Sequence, residues 1–231
     1  MRTCDVLVIG AGIAGCSLAC ELAEAGASVV VAERGAVCSG SSALNAGGIR
    51  QQFTQETSVR AGMETVRMLT GFQEEFGVDP AFRQAGYLFL HDGGDSARVL
   101  ERAVQVQNRC GVPTRMVGPD EIAALMPGIN LAGVAGGAHN PTDGYVDPNS
   151  MVAGFAAGAR ARGATIIQDC PRTAAIALSN ACALLVVSSH SRSGTESATM
   201  PAPACTEATP STITQVRMVM ARSILRPPAA I

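Results

Sequence analysis

The sequence predicts an α/β fold that begins with a parallel β-α-β unit, and three observations near the start of the chain indicate it. Val6 to Ile9 is a continuous apolar run, as expected of a parallel strand buried on both faces. The glycine-rich turn Gly10 to Gly15 (GAGIAG) follows at once and leads into a helical pattern that Gly26 ends. Ser28 to Ala32 is a second apolar run, and Glu33 stands at its end. This order is that of a Rossmann-type sheet.

The glycine-rich turn has the residue spacing of a dinucleotide-binding site. Gly10 permits the tight turn out of the strand, Gly12 lets a pyrophosphate approach the backbone, and Gly15 lets the helix pack closely on the strand. The helix N-terminus offers N–H groups and a partial positive charge to the phosphates. Glu33 can accept hydrogen bonds from the ribose hydroxyls, which favours FAD or NAD over NADP.

The segment after Glu33 separates FAD from NAD. An NAD-linked dehydrogenase would continue directly into another strand and helix, whereas this chain runs from Arg34 into the Ser- and Gly-rich stretch 39–50 (SGSSALNAGGIR). Backbone N–H groups at this density can approach a phosphate or a flavin ring. A flexible loop is the alternative interpretation of the same composition.

Taken together, GAGIAG, Glu33-Arg34, SGSSALNAGGIR and Gly86-Tyr87-Leu88-Phe89-Leu90 resemble the D-amino-acid oxidase-like FAD-dependent oxidoreductases. The resemblance covers about residues 1–169 and points to the branch with sarcosine oxidase β subunit, dimethylglycine and sarcosine dehydrogenases and glycine oxidase. It implies an FAD-binding parallel sheet with helices, interleaved with part of an antiparallel substrate sheet. It also implies that the flavin N5 takes a hydride from the carbon beside an amine, and that oxygen or another carrier reoxidises the flavin. FAD is expected to be bound non-covalently.

The resemblance and the turn together give the candidate site residues. The predicted cofactor-binding residues are Gly10, Gly12, Ile13, Ala14, Gly15, Glu33, Arg34, Ser41, Ser42, Gly47 and Gly48. The predicted catalytic residue is Arg50, whose guanidinium could pair with a substrate carboxylate; a surface arginine is the alternative. Gln51 and Gln52 are expected to face water, and Tyr87 to be half-buried packing.

After residue 50, the spacing of apolar residues predicts one helix over Glu56 to Phe76 and a strand over Gly86 to Leu90. It also predicts helices over Ser96 to Arg109 and Pro119 to Leu125. It then predicts a Gly-rich strand over Leu131 to Ala138, a loop holding His139, a turn at Asp143-Gly144, a helix over Asn149 to Arg162 capped by Asp147-Pro148, and a strand over Ala164 to Ile167. The expected domains are 1–50 for the FAD-binding βαβ and flavin loop, 51–147 for the helical and substrate-sheet segment, 148–169 for the return to the FAD-binding part, and 170–231 for a doubtful tail.

The bulk composition limits the partners. The net charge of −2 provides no basic field for nucleic acid, and no apolar run is long enough to span a membrane. The histidines and cysteines lack metal-ligand spacing, so no metal is expected. The chain is expected in the cytoplasm, because only five residues precede the first strand and leave no room for a targeting peptide. The expected ligand is a small amine or amino acid, with a partner subunit possible.

The sequence after Asp169 has a different character. Ser, Thr, Pro and Ala dominate, Glu196 and Glu207 are the only acids, and no further sheet is recognisable. We interpret the tail as disordered or as non-native sequence produced by a change of reading frame near Asp169 to Pro171. Two alternatives to an active amine oxidoreductase therefore stay open, namely an inactive truncated nucleotide-binding remnant and an NAD-linked Rossmann dehydrogenase.

Overall fold

The computed structural model describes residues 2–170 and 179–186 of the 231-residue chain. The chain divides into two compact units, one formed by Met1–Asn45 and Met151–Ile231 and the other by Ala46–Ser150. The described strands are β1 (Arg2–Ile9), β2 (Val29–Ala32), β3 (Gly48–Ile49), β4 (Tyr87–His91), β5 (Arg115–Val117), β6 (Gly136–Asn140), β7 (Gly144–Tyr145), β8 (Thr165–Ile167) and β9 (Ser179–Val186). The described helices are α1 (Ile13–Glu24), α2 (Glu56–Thr70), α3 (Phe72–Phe76), α4 (Gly94–Arg109), α5 (Pro119–Leu125) and α6 (Pro148–Ala161), with a 3₁₀ turn at Ser41–Leu44.

The first unit is built on a parallel sheet with the strand order β8-β2-β1-β9. Leu7, Val8 and Val31 are at most 2% exposed, as the continuous apolar runs predict. Helix α1 buries small residues, among them Cys16 and Ala19, which let it lie close to the sheet. The predicted strand over 164–167 is confirmed as β8, which pairs in parallel with β2.

The expectation that no sheet follows Asp169 is wrong for one segment. Ser179–Val186 forms β9 and pairs in parallel with β1 from Arg2↔Ser179 to Ile9↔Val186. This segment is an apolar run of strand length, and Pro171, which would interrupt a ladder, precedes it. The rest of the tail interpretation concerns residues 171–178 and 187–231, which lie outside the described residues.

The second unit contains an antiparallel sheet of order β4-β6-β5 and the short β3–β7 pair. Strand β6 is buried along its whole length, and its residues Gly136 and Gly137 lie against neighbouring strands. Phe72 from α3 and Ile122 from α5 are fully buried in this unit.

Several element boundaries in the second unit differ from the predictions. The helix predicted over 56–76 is interrupted at Gly71, which separates α2 from α3. The predicted strand over 131–138 is displaced to Gly136–Asn140, because Val134 N–H donates to the Leu131 carbonyl and closes a turn with Gly133 at φ +78°. The pair expected to form a turn, Asp143-Gly144, instead leads into β7, and β3, β5 and β7 were not predicted.

The N-terminal cap of α6 was predicted correctly. The Asp147 carboxylate accepts the Ser150 N–H at 2.9 Å, and the helix begins at Pro148.

Candidate cofactor and substrate sites

The turn between β1 and α1 has the close backbone approach that its glycines predict. Gly10 adopts φ +105°, and its N–H donates to the Ala32 carbonyl at 2.9 Å. A Cβ at Gly15 would lie 1.9 Å from the Gly10 carbonyl oxygen, so only glycine fits at residue 15 without displacing the turn. Helix α1 is thereby held directly against the end of β1.

The N-terminus of α1 lies against the side chain of Ser42. Gly12 is the N-cap residue in extended conformation, and it supplies no side chain of its own. The Ser42 hydroxyl accepts the Ile13 N–H at 3.0 Å, and a Cβ at Gly12 would lie 2.9 Å from that hydroxyl oxygen. Since the first amides of a helix lack partners within the helix, the turn, Ile13, Ala14 and Ser42 form a cradle that fits a pyrophosphate.

Glu33 joins the end of β2 to this turn. One carboxylate oxygen accepts the Ala11 N–H at 2.8 Å, and the other accepts the Gly35 N–H at 3.0 Å. Each oxygen keeps a second lone pair, and the side chain is half-buried, so hydroxyl donors of a ribose can still reach it.

The remaining predicted cofactor residues fall into two groups. Arg34 and Ser41 are exposed in the first unit, close in sequence to Glu33 and Ser42. Gly47 and Gly48 belong to the second unit. Gly47 is buried at φ +67°, where a Cβ would lie 2.1 Å from the Val146 carbonyl oxygen, whereas Gly48 is exposed in β3.

Arg50 lies on the surface of the second unit between aromatic rings. Its guanidinium carbon is 4.7 Å from the centroid of the Phe53 ring and 5.4 Å from that of Phe89. Tyr87 stacks on Phe89 at 5.4 Å, and its ring edge lies 3.5 Å from the position a Cβ would take at Gly48. Within the described residues Arg50 forms no ion pair, so its planar donors are available to an anion.

The expectation that Gln51 and Gln52 face water is wrong, because both are 6% exposed. The Gln51 amide nitrogen donates to Thr142 Oγ1 at 2.8 Å and to Asp143 Oδ1 at 3.1 Å. The Gln52 amide nitrogen donates to the Tyr87 carbonyl at 2.9 Å. Their partners are far along the chain, which a local pattern does not reveal.

Asp143 is the main residue that the sequence reading missed. It is fully buried, and its Oδ1 accepts the backbone N–H of Gln51 at 2.8 Å. Burial raises the pKa of this carboxyl, against hydrogen bonds from Gln51 that lower it. An Asp-Gly pair is typical of a turn, so the sequence carried no signal for a buried role.

The position predicted for His139 is wrong, and the exposure of Tyr87 is close to the prediction. His139 was expected in a loop but lies buried in β6, where burial lowers its pKa. Tyr87 is 37% exposed, at the margin of the half-buried packing that was predicted.

The part of the chain that the structure describes was compared with the requirements of a metal site and of a membrane-spanning helix. Residues 2–170 and 179–186 contain no group of three or more His, Cys, Asp and Glu side chains placed to hold a metal. None of the described helices combines the length and apolar character needed to cross a bilayer.

Comparisons with known proteins identify the family. The sequence model of the DAO family, described as FAD dependent oxidoreductase, matches residues 5–201. Mitochondrial sarcosine dehydrogenase of Homo sapiens is 31% identical over 173 residues, covering 74% of this chain and 19% of that protein. FAD-dependent oxidoreductase domain-containing protein 1 of Xenopus laevis is 32% identical over 164 residues, covering 65% of this chain and 33% of that protein.

Comparison with solved structures supports the same family. L-proline dehydrogenase from P. horikoshii superposes with a TM-score of 0.68 at 36% identity, covering 73% of this chain and 44% of that one. Glycine oxidase from Geobacillus kaustophilus superposes with a TM-score of 0.64 at 24% identity, covering 73% of this chain and 47% of that one. These matches confirm the resemblance and the predicted fold class.

The matches extend into the tail and cover only part of each relative. The family match continues to residue 201, past the position of the hypothesised change of reading frame. The chain spans about a third or less of these curated relatives and less than half of these solved structures.

Proposed function

Because the chain belongs to the DAO family of FAD-dependent oxidoreductases, we propose that it oxidises a small amine or amino acid with FAD as its cofactor. The observation that carries this proposal is the exposed Arg50 guanidinium held over Phe53 and Phe89, on a chain whose Gly10 to Gly15 turn fits a pyrophosphate. A nucleotide site and a carboxylate-binding site are the two components that an amino-acid oxidoreductase requires.

The first unit would hold the ADP part of FAD. The Gly12 turn and the α1 N-terminus would bind the pyrophosphate, and Ser42 would hydrogen-bond a phosphate oxygen. Glu33 would accept hydrogen bonds from the ribose hydroxyls. We further propose that Arg34, Ser41, Gly47 and Gly48 approach the cofactor. When bound, FAD would supply the acceptor, at its N5, for a hydride from the carbon beside the amine.

Arg50 would fix the substrate through its carboxylate. A guanidinium presents two parallel N–H donors that match the two oxygens of a carboxylate, and its stacking on aromatic rings restricts its orientation. The substrate class is therefore a small amino acid with a free carboxylate, of the sarcosine, glycine or proline type. The names of the sarcosine, dimethylglycine and L-proline dehydrogenases among the relatives support this class.

The wider organisation is proposed on the same basis. Residues 1–50 and 148–169 would form the FAD-binding part, and 51–147 the substrate part. The final electron acceptor would be oxygen or another carrier, and a partner subunit could complete the site. We propose a cytoplasmic location; the sarcosine and dimethylglycine dehydrogenases among the relatives carry mitochondrial names, so cell fractionation is the test.

The proposal is tested with the purified full chain. We expect flavin absorbance bands to persist after removal of free FAD, and anaerobic sarcosine, glycine or proline to bleach them. Arg50→Ala should abolish bleaching while retaining the bands, and Arg50→Lys should retain a small part of it. A folded chain that retains no flavin would refute the cofactor assignment, and bleaching that survives Arg50→Ala would refute the role of Arg50.

An inactive nucleotide-binding remnant is the second candidate, because Ser, Thr, Pro and Ala dominate the sequence after Asp169. Retained flavin that no amine bleaches would support it. The NAD-linked alternative is disfavoured, because β2 is followed by the 3₁₀ turn and β3 rather than by another helix and parallel strand.

A further inference from the structure

We propose that Asp143 is a positioning residue for Arg50, acting through the peptide bond that joins Arg50 to Gln51; this inference rests on the proposed role of Arg50. Asp143 follows β6 and is fully buried, so it cannot itself touch a substrate. Its Oδ1 accepts the backbone N–H of Gln51 at 2.8 Å. That N–H belongs to the Arg50–Gln51 peptide plane, so the hydrogen bond fixes the direction in which the Arg50 side chain leaves the backbone.

The same peptide is held from its other side by α2. A Cβ at Gly62 would lie 2.7 Å from the Arg50 carbonyl oxygen and 3.0 Å from Gln51 Cα. The absence of a side chain at residue 62 therefore lets this peptide pack directly on the helix. Asp143 and Gly62 clamp one peptide plane between a carboxylate and a helix backbone.

The aromatic rings around Arg50 are held by other residues. The Gln52 amide donates to the Tyr87 carbonyl at 2.9 Å, in the strand that carries Phe89. The buried Gln107 amide donates to the Phe53 carbonyl at 3.0 Å. The Gln52 side chain also hydrogen-bonds Asp143, whereas the Gln107–Phe53 bond does not involve Asp143. Loss of Asp143 should therefore move Arg50 relative to a Phe53 ring that stays in place.

A neutral amide at residue 143 should still perform this role. Asn keeps an oxygen that can accept the Gln51 N–H, whereas Ala leaves that buried donor without its acceptor. Gly62→Ala displaces the same peptide by a different contact while favouring the helix, so it provides an independent perturbation. Ile122→Val removes one methylene from the core of the same unit and serves as the control for general loosening.

The test measures Arg50 directly by ¹⁵N NMR on the full chain. The Arg50 Nε–H signal, assigned from its loss in Arg50→Lys, should carry a ring-current shift from Phe53. We expect Asp143→Ala and Gly62→Ala to lose this shift, and Asp143→Asn and Ile122→Val to keep it. If Asp143→Ala does not fold, Asp143→Ser replaces it, because its hydroxyl is one bond too short to reach the amide.

The functional consequence is measured with propionate and propionamide as probes, which differ only in the carboxylate. Asp143→Ala should bind propionate about tenfold more weakly, the effect of about one lost hydrogen bond, with no change for propionamide. The proposal is overturned if Asp143→Ala keeps both the Arg50 ring-current shift and the propionate affinity. It is also overturned if Ile122→Val lowers both to the same extent as Asp143→Ala. If the wild type does not prefer propionate, the role of Arg50 in the proposed function fails, and the Arg50 shift alone still decides whether Asp143 positions it.

Discussion

Replacing Gly15 by alanine should displace the turn that binds the cofactor. The new Cβ would start 1.9 Å from the Gly10 carbonyl oxygen, and real contacts of this kind do not fall below 3.0 Å, so the helix and the turn must separate by at least 1.1 Å. The Gly10 oxygen is a backbone atom, and the alanine Cβ is fixed to its Cα, so no side-chain rotation can relieve this contact. Overpacking of this kind costs about 3 kcal/mol at the upper end of its usual range.

The net effect is smaller because alanine favours the helix. A Gly to Ala change within a helix gains about 1 kcal/mol, which leaves a net loss of about 2 kcal/mol. For a chain of this size that loss lowers Tm by about 4–8 °C. The displaced turn should also lose about one hydrogen bond to the pyrophosphate, which weakens FAD binding about tenfold.

The matched control is Gly71→Ala. Gly71 has φ −101°, and a Cβ there would meet no atom within 4 Å. Its Tm should therefore stay near that of the wild type or rise slightly. Thermal unfolding by circular dichroism and FAD titration by fluorescence quenching compare the two variants. Equal Tm and equal FAD affinity in Gly15→Ala and Gly71→Ala would refute the close-approach reasoning.

Three further predictions concern individual side chains. Glu33→Gln replaces one acceptor oxygen by a donor and so loses one charge-assisted hydrogen bond to the turn; FAD titration should give a Kd raised roughly tenfold, and an unchanged Kd would contradict it. Burial raises the pKa of Asp143 above its value in the unfolded chain, so the stabilisation that its proton provides is present below the unfolded pKa and is lost as the pH rises through the folded pKa. Urea unfolding from pH 4 to pH 8 should therefore show Asp143→Asn gaining stability relative to the wild type as the pH rises, and a constant difference would argue against a raised pKa. Burial raises the pKa of Cys16 to about 12, so iodoacetamide at pH 8 should modify the partly exposed Cys110 in the native chain and Cys16 only after unfolding, as mass spectrometry would report.

The β-α-β start could be predicted because every signal for it is local. The strand, the glycine spacing, the helix stop and Glu33 all lie within one stretch of the first 33 residues. The close approach at Gly15 also follows from that spacing alone. Short elements were missed for the opposite reason, since β3 and β7 have two residues each and depend on pairing across almost a hundred positions.

The polar interior beneath Arg50 shows most clearly where local patterns fail. Gln51 and Gln52 occur in a polar segment, and such residues usually face water. Their burial is possible only because Thr142, Asp143 and the Tyr87 carbonyl supply acceptors that are distant in the sequence. A buried amide without these partners would cost more free energy than its burial could return.

The two candidate sites use the same device, a carboxylate that accepts backbone N–H groups, but burial gives it two different roles. Glu33 fixes the turn through Ala11 and Gly35 while staying half-buried, so its remaining lone pairs can also contact a bound nucleotide. Asp143 fixes the Arg50–Gln51 peptide from a fully buried position and can affect a ligand only through Arg50. Substitution by the neutral amide therefore separates them. Glu33→Gln should impair ligand binding because Ala11 and Gly35 each need one of its two acceptor oxygens, whereas Asp143→Asn should preserve it because a single oxygen accepts the Gln51 N–H.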